Sequence, residues 1–329
     1  MFYMKYNWLF IYMLIMNPLF LIFMNTYYSI WMFMEMNLLL FIVLLVLNNN
    51  YIGDKVMKYF LLNSFSSMIF FFFINLNMFI YNINFILVMN MMMMMKLGMF
   101  PFHIWFIDML IQLNWIMCFI LMVWQKIIPM FILMLIYNEN FMLIFLILGG
   151  LFSLMMIFNQ ILLKKILGYS SINHMCWMFI SLMINFNLFL IYYMSYFLIN
   201  MVIVFMFWLF KLEEINSFYL IFINYNYKFY LFMLMLTLGG IPPMFGFFMK
   251  WLFIFEMGNL FNWLLVLLMI FYSLVFFYFY MRLIFNFMML LYLKNNIILI
   301  SNFLKKNNSY MFMMMNLFVT INLMLFFMW

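Results

Sequence analysis

The chain has 329 residues, of which 73% are hydrophobic and only 6% charged, with a mean hydropathy of +1.22. That composition lies far outside the soluble globular range and makes a bilayer, not water, its main solvent. The formal net charge of +7 is scattered along the chain rather than gathered into a patch, so it requires no nucleic-acid partner.

Apolar runs between polar breaks predict helices near 7–24, 28–48, 57–75, 78–109, 114–136 and 141–158. Five more are expected near 165–186, 188–211, 229–256, 260–285 and 309–328. At roughly 20 apolar residues per span, a chain of this length accommodates about eleven such helices and leaves no room for a soluble domain. The expected fold class is therefore all-α, a polytopic membrane protein read as a single domain over 1–329. The fourth and ninth runs are too long for simple spans. The fourth is interrupted at Lys96-Leu97-Gly98-Met99-Phe100-Pro101 and the ninth at Leu238-Gly239-Gly240-Ile241-Pro242-Pro243. Proline removes a helical hydrogen bond there and glycine relaxes the backbone. One such helix in each half of the chain is the pattern of transporters built from structural repeats.

The basic residues test this topology, because Lys and Arg near helix ends concentrate on the cytoplasmic or matrix-like side. Lys5, Lys55, Lys58, Lys164, Lys165, Lys211, Lys228, Arg282, Lys294, Lys305 and Lys306 all fall on the side of the N-terminus, and none on the other. With Lys96, Lys126 and Lys250 they make up all fourteen basic residues. An odd number of helices with the N-terminus inside follows. Asp54 beside Lys55, and Glu213-Glu214 beside Lys211, read as solvated loop charges. Asn48 to Asn50 and the Asn-rich stretch 295–308 read as polar turns.

Alanine is absent, Arg282 is the single arginine, and Met occurs 47 times. Such usage fits a strongly AT-biased genome whose code reads ATA as Met, as animal mitochondria do. The N-terminus lacks the Arg- and Ser-rich amphipathic pattern of an import peptide, so the first helix is expected to be retained. Cys118 and Cys176 lie within apolar runs and read as packing residues.

Glu35, Lys96, Lys126 and Lys250 sit inside stretches that are otherwise hydrocarbon. One charge at the centre of a membrane helix costs roughly 2.5 to 3.5 kcal/mol, so such groups ordinarily face a bundle interior or wet cavity and carry protons, ions or substrate. Lysine suits proton carriage, since removal from water disfavours its charged form while a carboxylate such as Glu35 favours it. Each has a plainer alternative. Apolar neighbours can drag a single Lys into a helix, Lys250 beside Trp251 can snorkel to an interface, and Glu35 with Lys96 can be a structural pair. His103, just after the Pro101 break, and His174, within Ser170-Ser171-Ile172-Asn173-His174, suit proton relay or hydrogen-bonded packing equally. Ser170, Ser171 and Asn173 serve as well for interhelical hydrogen bonds. No phosphate loop, cysteine cluster, haem signature or paired histidine is present in the sequence, so redox chemistry has no visible seat.

Taken in order, several motifs resemble a known family. They are Glu35-Met36-Asn37, Lys58-Tyr59-Phe60-Leu61, Lys96-Leu97-Gly98 leading to Pro101-Phe102-His103 and Trp105, and Trp124-Gln125-Lys126. Ser170-Ser171-Ile172 with His174, then Leu238-Gly239-Gly240 through Pro242-Pro243, Gly246 and Lys250-Trp251, complete the set. Over most of its length the chain is similar to subunit 2 of mitochondrial respiratory complex I, NADH:ubiquinone oxidoreductase, an antiporter-like membrane subunit. The resemblance implies two inverted five-helix repeats with discontinuous helices in a proton-pumping membrane arm of the inner membrane. Animal members look truncated by three N-terminal helices relative to bacterial ones, which suits eleven spans. It implies that Glu35 and Lys96 gate proton entry, Lys126 is the central relay and Lys250 lies on the exit side, with His174 as a link. It also implies no cofactor in this chain, with NADH, FMN, iron-sulfur clusters and ubiquinone handled elsewhere in the assembly. The implied partners are other complex I subunits, especially neighbouring antiporter-like and small membrane subunits, together with membrane lipid. A cation/proton antiporter subunit and a non-conducting scaffold are the competing expectations.

Overall fold

The computed structural model describes residues 2–21, 23–24, 26–48, 53–79, 83–136, 138–215, 217, 225–242, 244–260 and 263–289. Helices that are apolar on every side need an apolar solvent, and these are. Their outward residues include Trp8, Met155 and Trp263, all more than 70% exposed. Polar side chains such as Asn37, Asn63, Asn90, Lys126 and Lys250 are buried instead. Among the described residues six apolar helical runs are long enough to cross a membrane, one of them, Trp115–Ile136, passing through a 3-10 turn.

In chain order the helices are α1 (Phe2–Leu21), α2 (Tyr27–Asn48), α3 (Gly53–Phe79), α4 (Ile83–Leu97), α5 (His103–Gln112) and α6 (Trp115–Met122). A 3-10 turn (Trp124–Lys126) separates α6 from α7 (Ile127–Ile136). There follow α8 (Glu139–Ile157), α9 (Leu163–Ile184), α10 (Phe186–Phe210), α11 (Tyr225–Gly239), α12 (Phe245–Leu260) and α13 (Trp263–Met289). Among the described residues the only β-type pairing is an isolated antiparallel bridge between Leu162 and Glu214. The fourth predicted run is broken into α4 and α5, and the ninth into α11 and α12, as their Gly and Pro residues require. The break after Val123 within the fifth run is additional. The stretch 295–308, the last predicted span 309–328 and Pro243 lie outside the described residues.

The chain divides into two compact units. The first comprises Met1–Ser153 with Leu167–Ile172, and the second Leu154–Ile166 with Asn173–Trp329. In the first unit, α1 packs on α2, α2 on α3, α3 on α4 and α4 on α7. In the second, α11 packs on both α10 and α13.

Candidate functional site

The first unit is built around the break between α4 and α5. Gly98 adopts φ +67°, the left-handed conformation that ends helices. Its N–H donates to the Met95 carbonyl at 3.2 Å, and the Met99 N–H to the Met94 carbonyl at 3.1 Å, the bond pair of a Schellman ending. A side chain at Gly98 has no room, because a Cβ there lies 2.6 Å from Cβ of Phe106. Lys96 therefore sits in the last turn of a half-helix, at the negative end of its dipole. Its Nζ contacts Sδ of Met34 at 3.6 Å, the residue that precedes Glu35 in α2. Lys96 and Glu35 are not closed into an ion pair, and Oε1 of Glu35 is buried without a hydrogen-bond partner.

Lys126 ends the 3-10 turn between α6 and α7 and is 3% exposed. Its Nζ donates to Oγ of Ser171 at 3.1 Å and stands 4.8 Å from the Phe106 ring centroid. Ser171 Oγ in turn donates to the Gly168 carbonyl. Lys96 and Lys126 line one cavity together with Asn37, Tyr59, Asn63 and Gln125. Its volume of about 30 Å³ holds about two water molecules. Asn37 Nδ2 donates to Gln125 Oε1 at 2.7 Å across it. That leaves Asn37 Oδ1 and Gln125 Nε2 buried without protein partners.

The second unit repeats the device at the break between α11 and α12. Gly240 takes φ +77°, and Lys250, 6% exposed in α12, donates from Nζ to the Gly239 carbonyl at 3.1 Å. It thus folds back onto the C-terminal end of α11 and does not snorkel outward past Trp251. His174 in α9 is 7% exposed, with Nδ1 2.7 Å from the Tyr192 hydroxyl and its ring 5.1 Å from that of Tyr196. His103 sits among aromatic rings, 4.1 Å from Phe152 and 6.0 Å from Phe100, and its Nδ1 has no hydrogen-bond partner. Ser170 bonds within its own helix, to the Leu167 carbonyl.

Comparison with known proteins bears on this arrangement of buried lysines at helix breaks. The family model described as NADH:quinone oxidoreductase/Mrp antiporter, TM, matches residues 24–277. NADH-ubiquinone oxidoreductase chain 2 of Anopheles gambiae is 35% identical over 258 residues, covering 75% of this chain and 76% of that one. Its counterpart from Aedes aegypti is 42% identical over 272 residues, covering 78% and 79%. This chain belongs to the NADH-ubiquinone oxidoreductase chain 2 family.

The fold of this family recurs in longer chains. Respiratory complex I from Thermus thermophilus with bound Aureothin contains one that superposes with a TM-score of 0.70 at 19% identity, over 78% of this chain and 64% of that one. The Mrp complex from Dietzia sp. contains another, with a TM-score of 0.65 at 12% identity, over 79% and 56%.

Within this chain 2 member, two polar contacts were not foreseen. Lys55 pairs with Asp108 at 3.6 Å, not with its neighbour Asp54, which is exposed in the first turn of α3. The signal was a lone carboxylate three residues beyond Trp105 in a broken helix, but its partner lies 53 residues away in sequence. The Asn37–Gln125 bond was also missed, although both residues stand in motifs next to Glu35 and Lys126. Glu213 forms a looser pair with Lys164 at 3.9 Å.

Proposed function

We propose that this chain is the proton-translocating chain 2 subunit in the membrane arm of respiratory complex I in the mitochondrial inner membrane, with 1–329 acting as one membrane domain. In this reading it handles no electrons and carries no redox centre. NADH oxidation and ubiquinone reduction in other subunits drive it, and those subunits are its partners. The N-terminus faces the matrix and the C-terminus the intermembrane space, the orientation that the one-sided basic residues favour.

The path runs from the Glu35–Lys96 pair to Lys126 and on to Lys250, with His174 as the link. One observation carries it: the three lysines placed within apolar runs, Lys126 and Lys250 buried and Lys96 half-buried, all lie at helix interruptions. Lys96 sits in the last turn of α4, Lys126 in the 3-10 turn, and Lys250 against the end of α11. Exposed carbonyls at such ends stabilise a cation without neutralising it, which suits a site that must both hold and release a proton. Between the first two lysines, water in the shared cavity bridges what the side chains do not span, hydrogen-bonded to the free ends of Asn37 and Gln125. His174 follows Ser171, the hydrogen-bond partner of Lys126, by three residues of α9, a rise of about 4.5 Å.

Native electrophoresis of inner membranes tests the assignment. The chain is expected to comigrate with NADH dehydrogenase activity, and its absence from that band overturns the respiratory reading. A Gln125→Leu substitution tests the wet segment. It removes the water-binding amide without touching a lysine, so the complex is expected to assemble while proton translocation slows by about tenfold, the effect of one lost hydrogen bond of roughly 1.4 kcal/mol in the transfer step. Proton uptake per NADH oxidised in proteoliposomes measures this.

A further inference from the structure

The second unit carries a polar feature that the proton path does not use. Arg282, the chain's single arginine, is exposed near the end of α13, and among the described residues no carboxylate lies within ion-pair distance of it. It lines a pocket of about 380 Å³ together with Asn159, Gln160 and an apolar wall that includes Phe158, Phe279 and Leu283.

The pocket has fixed walls. Its other two lining residues, Ile161 and Ile215, are joined by a backbone hydrogen bond from Ile215 N–H to the Ile161 carbonyl at 3.1 Å. The adjoining Leu163 N–H donates to the Glu213 carbonyl at 2.9 Å. These bonds tie the connection between α8 and α9 to the segment that follows α10. Gln160 is anchored as well, since its Nε2 donates to the Met156 carbonyl, leaving one amide proton uncommitted.

Depth in the bilayer follows from α13. Trp263, 72% exposed at its start, suits an interfacial anchor. Arg282 lies nineteen residues further on, about 28 Å at 1.5 Å per residue, which is close to the roughly 30 Å of a hydrocarbon core. Arg282 therefore reaches the opposite interface, the one that also holds Lys164 and Lys165. A guanidinium with flanking amide donors matches a phosphodiester, and the phenylalanine and leucine wall beneath it matches the start of an acyl chain. A protein carrying an excess of seven positive charges is also short of counter-charge of its own.

We propose that the Arg282 pocket is a binding site for the headgroup of an anionic phospholipid in the matrix-side leaflet. The single arginine makes the test direct, because phenylglyoxal modification of this chain reports Arg282 alone. In the intact complex, purified and delipidated in detergent, Arg282 is expected to react. Phosphatidylglycerol vesicles at about ten times the dissociation constant are expected to slow that reaction about tenfold. Phosphatidylcholine vesicles and inorganic phosphate are expected to leave it unchanged. Equal protection by phosphatidylcholine, protection by inorganic phosphate alone, or no protection by any lipid each overturns the proposal. So does an arginine already unreactive before lipid is added, which would place a neighbouring subunit over the pocket.

Discussion

A Lys126→Met substitution is expected to leave the complex assembled and to slow proton transfer through this chain about a hundredfold. Met matches the length of the lysine stem and removes a buried cation, so the membrane recovers roughly 2.5 to 3.5 kcal/mol of insertion cost. Against this stand one hydrogen bond to Ser171, worth about 1 kcal/mol, and a cation–π contact with Phe106, worth about 0.5 to 2 kcal/mol. Ser171 is not orphaned, since its hydroxyl still donates to the Gly168 carbonyl. Stability is thus expected to be unchanged within about 1 kcal/mol. Transport is not. A proton crossing the gap without a carrier meets a barrier higher by about 3 kcal/mol, which slows transfer through this chain about a hundredfold.

The companion variant Lys126→Arg separates relay from structure. Arginine keeps the charge, the donor to Ser171 and the stacking on Phe106, but it does not deprotonate. A structural role for Lys126 is therefore rescued by Arg, whereas a relay is not. Proton uptake per NADH oxidised in proteoliposomes, with the native-gel band as the assembly control, reads both variants. Unchanged stoichiometry in Lys126→Met would establish the scaffold reading in place of the pump.

The two Gly/Pro breaks were legible because the punctuating residues lie inside the runs they interrupt, and their left-handed glycines, Gly98 and Gly240, have no other use in a helix. The break at Lys126 carried a subtler signal. Pro129 lies three residues later and offers no N–H to the carbonyl of Gln125, four residues back. The helix tightens there instead, with the Lys126 N–H donating to the Val123 carbonyl at 3.2 Å. Reading 114–136 as one uninterrupted helix hid the fact that Pro129 leaves the turn holding the central lysine tightened to 3-10 geometry. The burial of Lys250 was legible in outline, but its choice of the Gly239 carbonyl was not, because that bond depends on how α12 folds back on α11. Contacts such as Asn37–Gln125 and Lys55–Asp108 join residues 88 and 53 positions apart. Local pattern says which side chains are expensive to bury, and tertiary packing decides which of them meet.

Gly246→Ala is expected to be the most damaging small substitution in the second unit. A Cβ at this position collides with the backbone carbonyl oxygen of Thr237. That oxygen cannot step aside cheaply. It belongs to the last turn of α11, where the neighbouring Leu236 carbonyl accepts the Gly240 N–H at 2.9 Å and the Thr237 hydroxyl donates to the Leu234 carbonyl. Relief therefore requires α12 to move away from α11, and with it Lys250, whose ammonium is held by the Gly239 carbonyl. Overpacking against movable side chains costs typically 1 to 3 kcal/mol, and a backbone obstacle is expected at or above the top of that range. Gly258→Ala supplies the control in the same helix. The nearest atom to a Cβ there is Trp263 Cη2 at 3.9 Å, an ordinary contact, and alanine gains about 1 kcal/mol of helix propensity over glycine. The native-gel band is expected to fall several-fold for Gly246→Ala and to hold for Gly258→Ala. Equal band intensity in the two variants would mean that α11 and α12 are not pressed together at Gly246, and that the seat of Lys250 does not depend on it.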